Sequence, residues 1–309
     1  MKIAAVFSGQ GAQKAGMGKS FYENSKAAKD ILDSIPSRML EYCFEGSDEE
    51  LSRTEITQPC LYAVSCAGAA ALNEAFAENG LEISMAAGFS LGEYSALCFG
   101  GVFSFSDGFE IVSNRGRWMA EAVGDGKSGM AAVIGTIDKI NEAVEYASNA
   151  GMILPVNYNS PKQTVVAGEN AALAKFTEKA SEMGLRVVPL SVSGAFHSPL
   201  MSGAADKLKD LLSNYQLNSP RIPIYSNVTA KPFEKDDLAE QISRQTKSPV
   251  KWEETVRNMI NDGADTFIEI GAGSTLCGLI RRIDKSVTTY CAENMEGLKE
   301  AVAAITAQS

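Results

Sequence analysis

A serine and the only histidine of the chain are the residues best able to do chemistry. Ser90 sits in Gly88-Phe89-Ser90-Leu91-Gly92, and His197 in Gly194-Ala195-Phe196-His197-Ser198-Pro199. A serine hydroxyl is a weak nucleophile at its ordinary pKa and needs a neighbouring base, most often histidine. The G-x-S-x-G spacing suits a sharp strand-to-helix turn with the serine at its apex. Glycine is needed at both ends because a Cβ there would meet neighbouring backbone. Serine before histidine is also the order used on α/β-hydrolase-like sheets. On this reading the Leu91 N–H is one half of an oxyanion hole. The Gly-rich loop at Gly9-Gln10-Gly11 can bring a second N–H, such as that of Gln10, to the same place. Arg115 and Arg117 fall in a stretch that reads as a helix over 107–123. A guanidinium facing the serine would pair bidentately with a substrate carboxylate, and the sequence leaves open which arginine does so.

The elements that must position these groups follow from the patterns around them. A strand is expected over 81–87 and a helix over 91–98, with Glu93 in the first turn suiting the positive end of the helix dipole. A β-type run over 185–192 precedes His197, with Ser198 as N-cap and Pro199 at the first helical position. Such strand-to-helix junctions are where α/β sheets carry catalytic groups. Residues 121–129, EAVGDGKSG, read as a linker. Beyond it come a strand over 130–135, a helix over 137–150 and strands over 153–158 and 163–167. A helix over 169–183 and the run over 185–192 complete a β-α-β-β-α-β unit of ferredoxin-like type. Elsewhere strands alternate with helices, which favours a mainly parallel sheet covered on both faces. The expected fold is therefore α/β: an α/β-hydrolase-like large domain from 1–127 and 193–309, with an inserted ferredoxin-like α+β small domain over 128–192. The site should lie in the cleft between them.

Composition narrows the function classes. A chain of 309 residues, 45% hydrophobic and 21% charged, can bury a substantial core. No run of 18 apolar residues is present, so no membrane span is expected, and residues 1–7 read as a first strand rather than a secretory signal. The six cysteines form no C-x-x-C pair and read as reduced core residues of a cytoplasmic protein. With one histidine, no metal site is expected. A net charge of −10 argues against nucleic-acid binding. Two nucleotide-binding fingerprints fail on register within 9–20, since Lys14 and Gln13 stand where the Rossmann and Walker A patterns require glycine.

Taken together the motifs resemble the acyltransferase family of fatty-acid and polyketide synthesis that includes the malonyl-CoA:acyl carrier protein transacylases. The resemblance runs nearly end to end, through Gly9-Gln10-Gly11-Ala12-Gln13, Thr57-Gln58-Pro59, Gly88 to Glu93, Arg115-Gly116 and Asn157 to Pro161. It closes with Gly194 to Pro199 and Pro249-Val250-Lys251-Trp252. It implies Ser90 as nucleophile, His197 as general base and then acid, and Arg115 as the group for the malonyl carboxylate. It further implies an oxyanion hole from Gln10 and Leu91, contacts to substrate from Gln58 and Phe196, and a histidine-orienting main-chain carbonyl at Lys251. Phe196 matches the phenylalanine of malonyl-selective members. Two positions depart from the common pattern: Phe89, where many relatives have histidine, and Lys251, where glutamine or arginine is frequent. No permanently bound cofactor is implied; malonyl-CoA is the substrate and acyl carrier protein the partner, the enzyme acting as a monomer. Arg281, Arg282, Lys285 and Lys162 are candidates for carrier docking. A serine thioesterase or esterase on the same fold, an acyltransferase serving polyketide synthesis, and a non-catalytic carrier-binding module are the alternatives.

Overall fold

The computed structural model describes residues 1–124, 126–192 and 194–308. Two sheets organise it. The first contains β1 (Ile3–Phe7), β2 (Ile83–Gly88), β7 (Ile224–Tyr225), β8 (Thr266–Ile270) and β9 (Thr288–Ala292), in the order β7-β2-β1-β8-β9. Every pairing in it is parallel. β1 lies near the centre and all five of its residues are buried, which is why it reads as an unbroken apolar run. The pleat divides those residues between two cores. Ile3, Ala5 and Phe7 enter one core, built largely on the long helix Thr54–Asn79. Ala4 and Val6 enter the other, with Phe267, Trp252 and Ile280.

Thr54–Asn79 is the one helix among the described residues long and apolar enough to cross a membrane, and 72% of its most apolar window is buried inside the molecule. It is a core helix. The sequence carried no simple helical signal here because both of its faces are covered, so no polar stripe marks it.

The second sheet contains β3 (Ser128–Ile134), β4 (Ile153–Ser160), β5 (Gln163–Glu169) and β6 (Arg186–Pro189), in the order β4-β5-β3-β6. All of its pairings are antiparallel. Helices Ile137–Ala147 and Asn170–Glu182 cover one face, through Val133, Ile140, Val166 and Phe176. The other face, through Met130, Val156, Val165 and Ala167, packs against Met119, Phe196 and Met201. A main-chain bridge joins the sheet to the rest: Asn157 pairs with Val250, Val250 N–H donates to the Val156 carbonyl at 2.7 Å, and Tyr158 N–H donates to the Val250 carbonyl at 2.9 Å.

Several boundaries differ from the expectations. The helix expected over 107–123 runs Phe105–Val123 and β3 starts at Ser128, so the linker is shorter than 121–129; its Asp125 lies outside the described residues. The run over 185–192 pairs only at Arg186–Pro189, on the edge of the small antiparallel sheet. His197 therefore does not follow a strand of the parallel sheet. Ser198 does cap the short 3-10 turn Pro199–Met201, its hydroxyl accepting from Leu200 N–H. Ser193, where the large domain was expected to resume, also lies outside the described residues.

Candidate active site

β2 ends at Gly88 and the next helix, Gly92–Phe99, begins four residues later. The chain must reverse within that space. A Cβ on Gly88 would overlap the Gly92 carbonyl, and one on Gly92 would overlap the Phe7 carbonyl of β1. Ser90 sits at the apex with φ 52°, a left-handed conformation that costs a side-chain-bearing residue about 1–2 kcal/mol. Phe89 N–H donates to the Phe7 carbonyl at 2.9 Å. The Phe89 ring meets Trp252 edge-on, centroids 5.6 Å apart, and Phe89 also lines the cleft, so the position of the common histidine is here an apolar part of the wall.

The Ser90 hydroxyl lies 2.7 Å from His197 Nε2. His197 Nδ1 lies 3.1 Å from the Gln245 main-chain carbonyl. A carbonyl can only accept, so Nδ1 carries the proton and Nε2 presents a lone pair to the serine. His197 is buried, and burial together with the nearby Arg115 charge pushes its pKa down to about 4, against the pull of the Gln245 and Ser248 carbonyls. It is therefore neutral and ready to accept a proton at physiological pH.

Arg115 is 1% exposed. Its guanidinium donates to Gln58 Oε1 at 2.6 Å and to Gln245 Oε1 at 3.0 Å, and lies 5.0 Å from the Tyr94 ring centroid. Among the described residues no carboxylate comes within ion-pair distance of it, and its Nε has no partner. A buried guanidinium without a counter-ion is costly, and this one lines the same cleft as Ser90. The nearest acid acting on it is Glu93, fully buried behind the elbow. Burial raises Glu93 to about 8, opposed by a hydrogen bond from Asn227 N–H and by the Arg115 charge.

The cleft has a volume of about 260 Å³. Ser90, His197, Gln10, Leu91 and Phe196 line it from the large sheet and its loops, and Met130, Asn157, Asn159 and Gln163 from the small sheet. Among the described residues the N–H groups of Gln10 and Leu91 find no acceptor, as an oxyanion hole requires. β4 is bulged between Pro155 and Asn157 and again between Tyr158 and Ser160. Such bulges re-aim side chains, and here Asn157 and Asn159 both line the cleft with their Oδ1 atoms unpartnered.

The acyl transferase domain model matches residues 5–303. The malonyl CoA-acyl carrier protein transacylase of Bacillus subtilis (strain 168) is 38% identical over 309 residues, covering 97% of this chain and 96% of that protein. The chain belongs to the acyl transferase domain family. Among solved structures, the malonyl CoA-acyl carrier protein transacylase of Clostridium perfringens ATCC 13124 superposes with a TM-score of 0.92 at 36% identity, covering 100% of this chain and 98% of that one. A malonyl-transacylase in complex with its type II polyketide acyl-carrier protein gives 0.89 at 33%, covering 98% and 100%.

In this acyl transferase one expected role moves to another residue. Lys251, expected to orient the base through its carbonyl, does not touch His197. It begins the helix Trp252–Asn261, its N–H donates to the Asn227 carbonyl at 2.8 Å, and its ammonium turns outward to Glu254. The orienting carbonyl belongs to Gln245, in the 3-10 turn Gln245–Lys247. Gln58 lines the cleft and also holds Arg115, with Nε2 3.5 Å from Met119 Sδ. Arg117 is the solvent-facing arginine, paired with Glu121 and Asn114. Asn227 and Gln245 had no sequence signal of their own, being amides in loops far along the chain from Ser90. Among the described residues one donor group has metal-like proximity: Glu269, Cys277 and Cys291. Its carboxylate is already occupied, capping the helix Thr275–Ile283 through Leu276 and Cys277 N–H.

Proposed function

We propose that this acyl transferase moves a malonyl group from malonyl-CoA to the phosphopantetheine thiol of acyl carrier protein, supplying fatty-acid synthesis. The observation that carries the reading is the buried, counter-ion-free Arg115 beside a serine and histidine 2.7 Å apart. An ordinary ester needs only an apolar pocket; a half-thioester of a dicarboxylic acid supplies the missing anion.

His197 Nε2 takes the Ser90 proton as the oxygen attacks the thioester carbonyl. The N–H groups of Gln10 and Leu91 hold the resulting oxyanion, each worth about 3 kcal/mol when well placed. The C–S bond breaks, and the CoA sulfur leaves with the proton from His197. The carrier thiol then gives its proton to His197 and attacks the malonyl-serine ester, Ser90 regaining the proton as it leaves. The kinetics are ping-pong. The substrate carboxylate also cancels part of the Arg115 charge, so binding raises the basicity of His197 when it is needed. Phe196 crowds the α-carbon of the acyl group, and Asn157, Asn159 and Gln163 offer polar partners to the pantetheine arm. Arg281, Arg282, Lys285 and Lys162 are exposed and serve as carrier-docking candidates. The enzyme works as a cytoplasmic monomer without a bound cofactor. The residues 128–192 act as a small domain closing the cleft.

The test is intact-mass measurement after mixing with malonyl-CoA. A malonyl adduct is expected in the native protein, lost in Ser90→Ala and transferred on adding the holo carrier protein. An adduct released mainly as free malonate would instead make the enzyme a thioesterase, and no adduct would make it a binding module.

A further inference from the structure

We propose that Asn227 is a positioning residue for the nucleophile, its side-chain amide clamping the elbow on both sides of Ser90. Asn227 is fully buried in the turn that follows β7. Its Oδ1 accepts from Ser90 N–H at 2.8 Å, and its Nδ2 donates to the Gly88 carbonyl at 2.7 Å. Both groups belong to the gap between the end of β2 and the start of the helix Gly92–Phe99, where neither sheet nor helix can satisfy them. The turn's other bonds use Phe89 N–H with the Phe7 carbonyl, and the Phe89 and Ser90 carbonyls with Gly92 and Glu93 N–H.

Asn227 is itself fixed at every polar atom. Its N–H donates to Glu93 Oε2, its carbonyl accepts from Lys251 N–H at 2.8 Å, and Gln245 Nε2 approaches its Oδ1 at 3.4 Å while donating to the Ser90 carbonyl at 2.6 Å. A carboxamide carries its acceptor and its donor on separate atoms, so it can span two main-chain groups at once. With Asn227 substituted by alanine, the turn that Gly88 and Gly92 permit loses both ties, and with them the fine placement that sets the Ser90 hydroxyl 2.7 Å from His197. Asn227 does not line the cleft, so it acts through Ser90 and not on substrate.

The inference rests on Ser90 being the nucleophile of the proposed reaction, and the experiment separates the two. A fluorophosphonate ester reports on Ser90 whatever the natural acyl group is: an O–P bond forms, fluoride leaves and the serine proton passes to His197. Labelling rates are measured beside single-turnover malonyl transfer and the thermal midpoint, for native protein, Asn227→Ala and Asn227→Asp. Asn227→Ala is expected to slow both reactions about 100-fold, the scale of a misplaced reacting group, with KM for malonyl-CoA changed less than about 3-fold. Asn227→Asp keeps the acceptor for Ser90 N–H and should recover part of the rate. A folded Asn227→Ala labelled at the native rate overturns the proposal. So does a folded Asn227→Asp no faster than Asn227→Ala, which would mean that an acceptor kept at Ser90 N–H does nothing for the rate. If Asn227→Ala does not fold, Asn227→Asp decides: a loss of about 10-fold with unchanged KM supports the clamp, and native rate or failure to fold refutes it. Native protein that labels with fluorophosphonate but takes no malonyl group would remove the proposed substrate and leave the clamp standing.

Discussion

Ser90 and His197 both stand at positive φ, 52° and 59°, yet the chain holds them by different means. The serine's turn is imposed by its immediate neighbours, and Asn227 ties its main chain from outside. Gly88 and Gly92 permit a turn in which β1, β2 and the following helix meet with no space left over. The histidine stands on a loop leaving the edge of the small sheet, and one carbonyl from 48 residues away sets its tautomer. Arg115 resembles the histidine in this respect, held by amides of Gln58 and Gln245 from two other segments. One half of the site thus has a turn imposed by excluded volume, with Asn227 tying its main chain, and the other is held by hydrogen bonds alone. The first should fail completely when disturbed, and the second should be tunable.

Gly92→Ala tests the excluded-volume half most severely. The new methyl would overlap the Phe7 carbonyl, and overpacking of this kind costs about 3 kcal/mol. A lower denaturant midpoint and no detectable malonyl-serine are expected; native stability and acylation would show that the elbow can yield. Arg115→Ala comes next. Losing a charge-assisted bond to the substrate carboxylate costs about 1.5–3 kcal/mol, so kcat/KM for malonyl-CoA should fall about 10- to 150-fold. Acetyl transfer should be spared or raised, and equal losses for both substrates would remove the assignment. The mildest test is pH. His197 is lowered from 6.5 to about 4, so it stays neutral over most of the acid range. The acid limb of kcat/KM should therefore fall near pH 4, with the limb of kcat at higher pH because the bound carboxylate offsets Arg115. A kcat/KM limb near 6.5 would mean that the base is not shielded as described. The same depression makes the stability contributed by His197 present above pH 6.5 and lost as pH falls toward 4.

What could be read from the sequence divides along the same line. The elbow is legible because the glycines and serine that its turn needs stand within five residues, and a lone histidine names itself. The second sheet was announced largely by its helices, since Ile137–Ala147 and Asn170–Glu182 each keep one polar face between strand-length apolar runs. Arg115 could have been separated from Arg117. Ile111, Val112, Arg115 and Met119 recur at three- and four-residue spacing along the buried stripe of Phe105–Val123. Lys251 was misassigned because a main-chain acceptor leaves no side-chain signature, so the turn at Gln245 carries nothing to distinguish it. Asn227 was invisible for a related reason: its partners are the backbone of residues 137 and 139 positions earlier.

The bridge between Asn157 and Val250 is made entirely of main-chain groups. Such a seam is indifferent to which side chains lie along it but intolerant of any change in spacing. A chimaera that grafts residues 128–192 from a relative should therefore accept wide divergence in β4, while a single inserted or deleted residue on either side of the seam would slide the cleft wall past the serine.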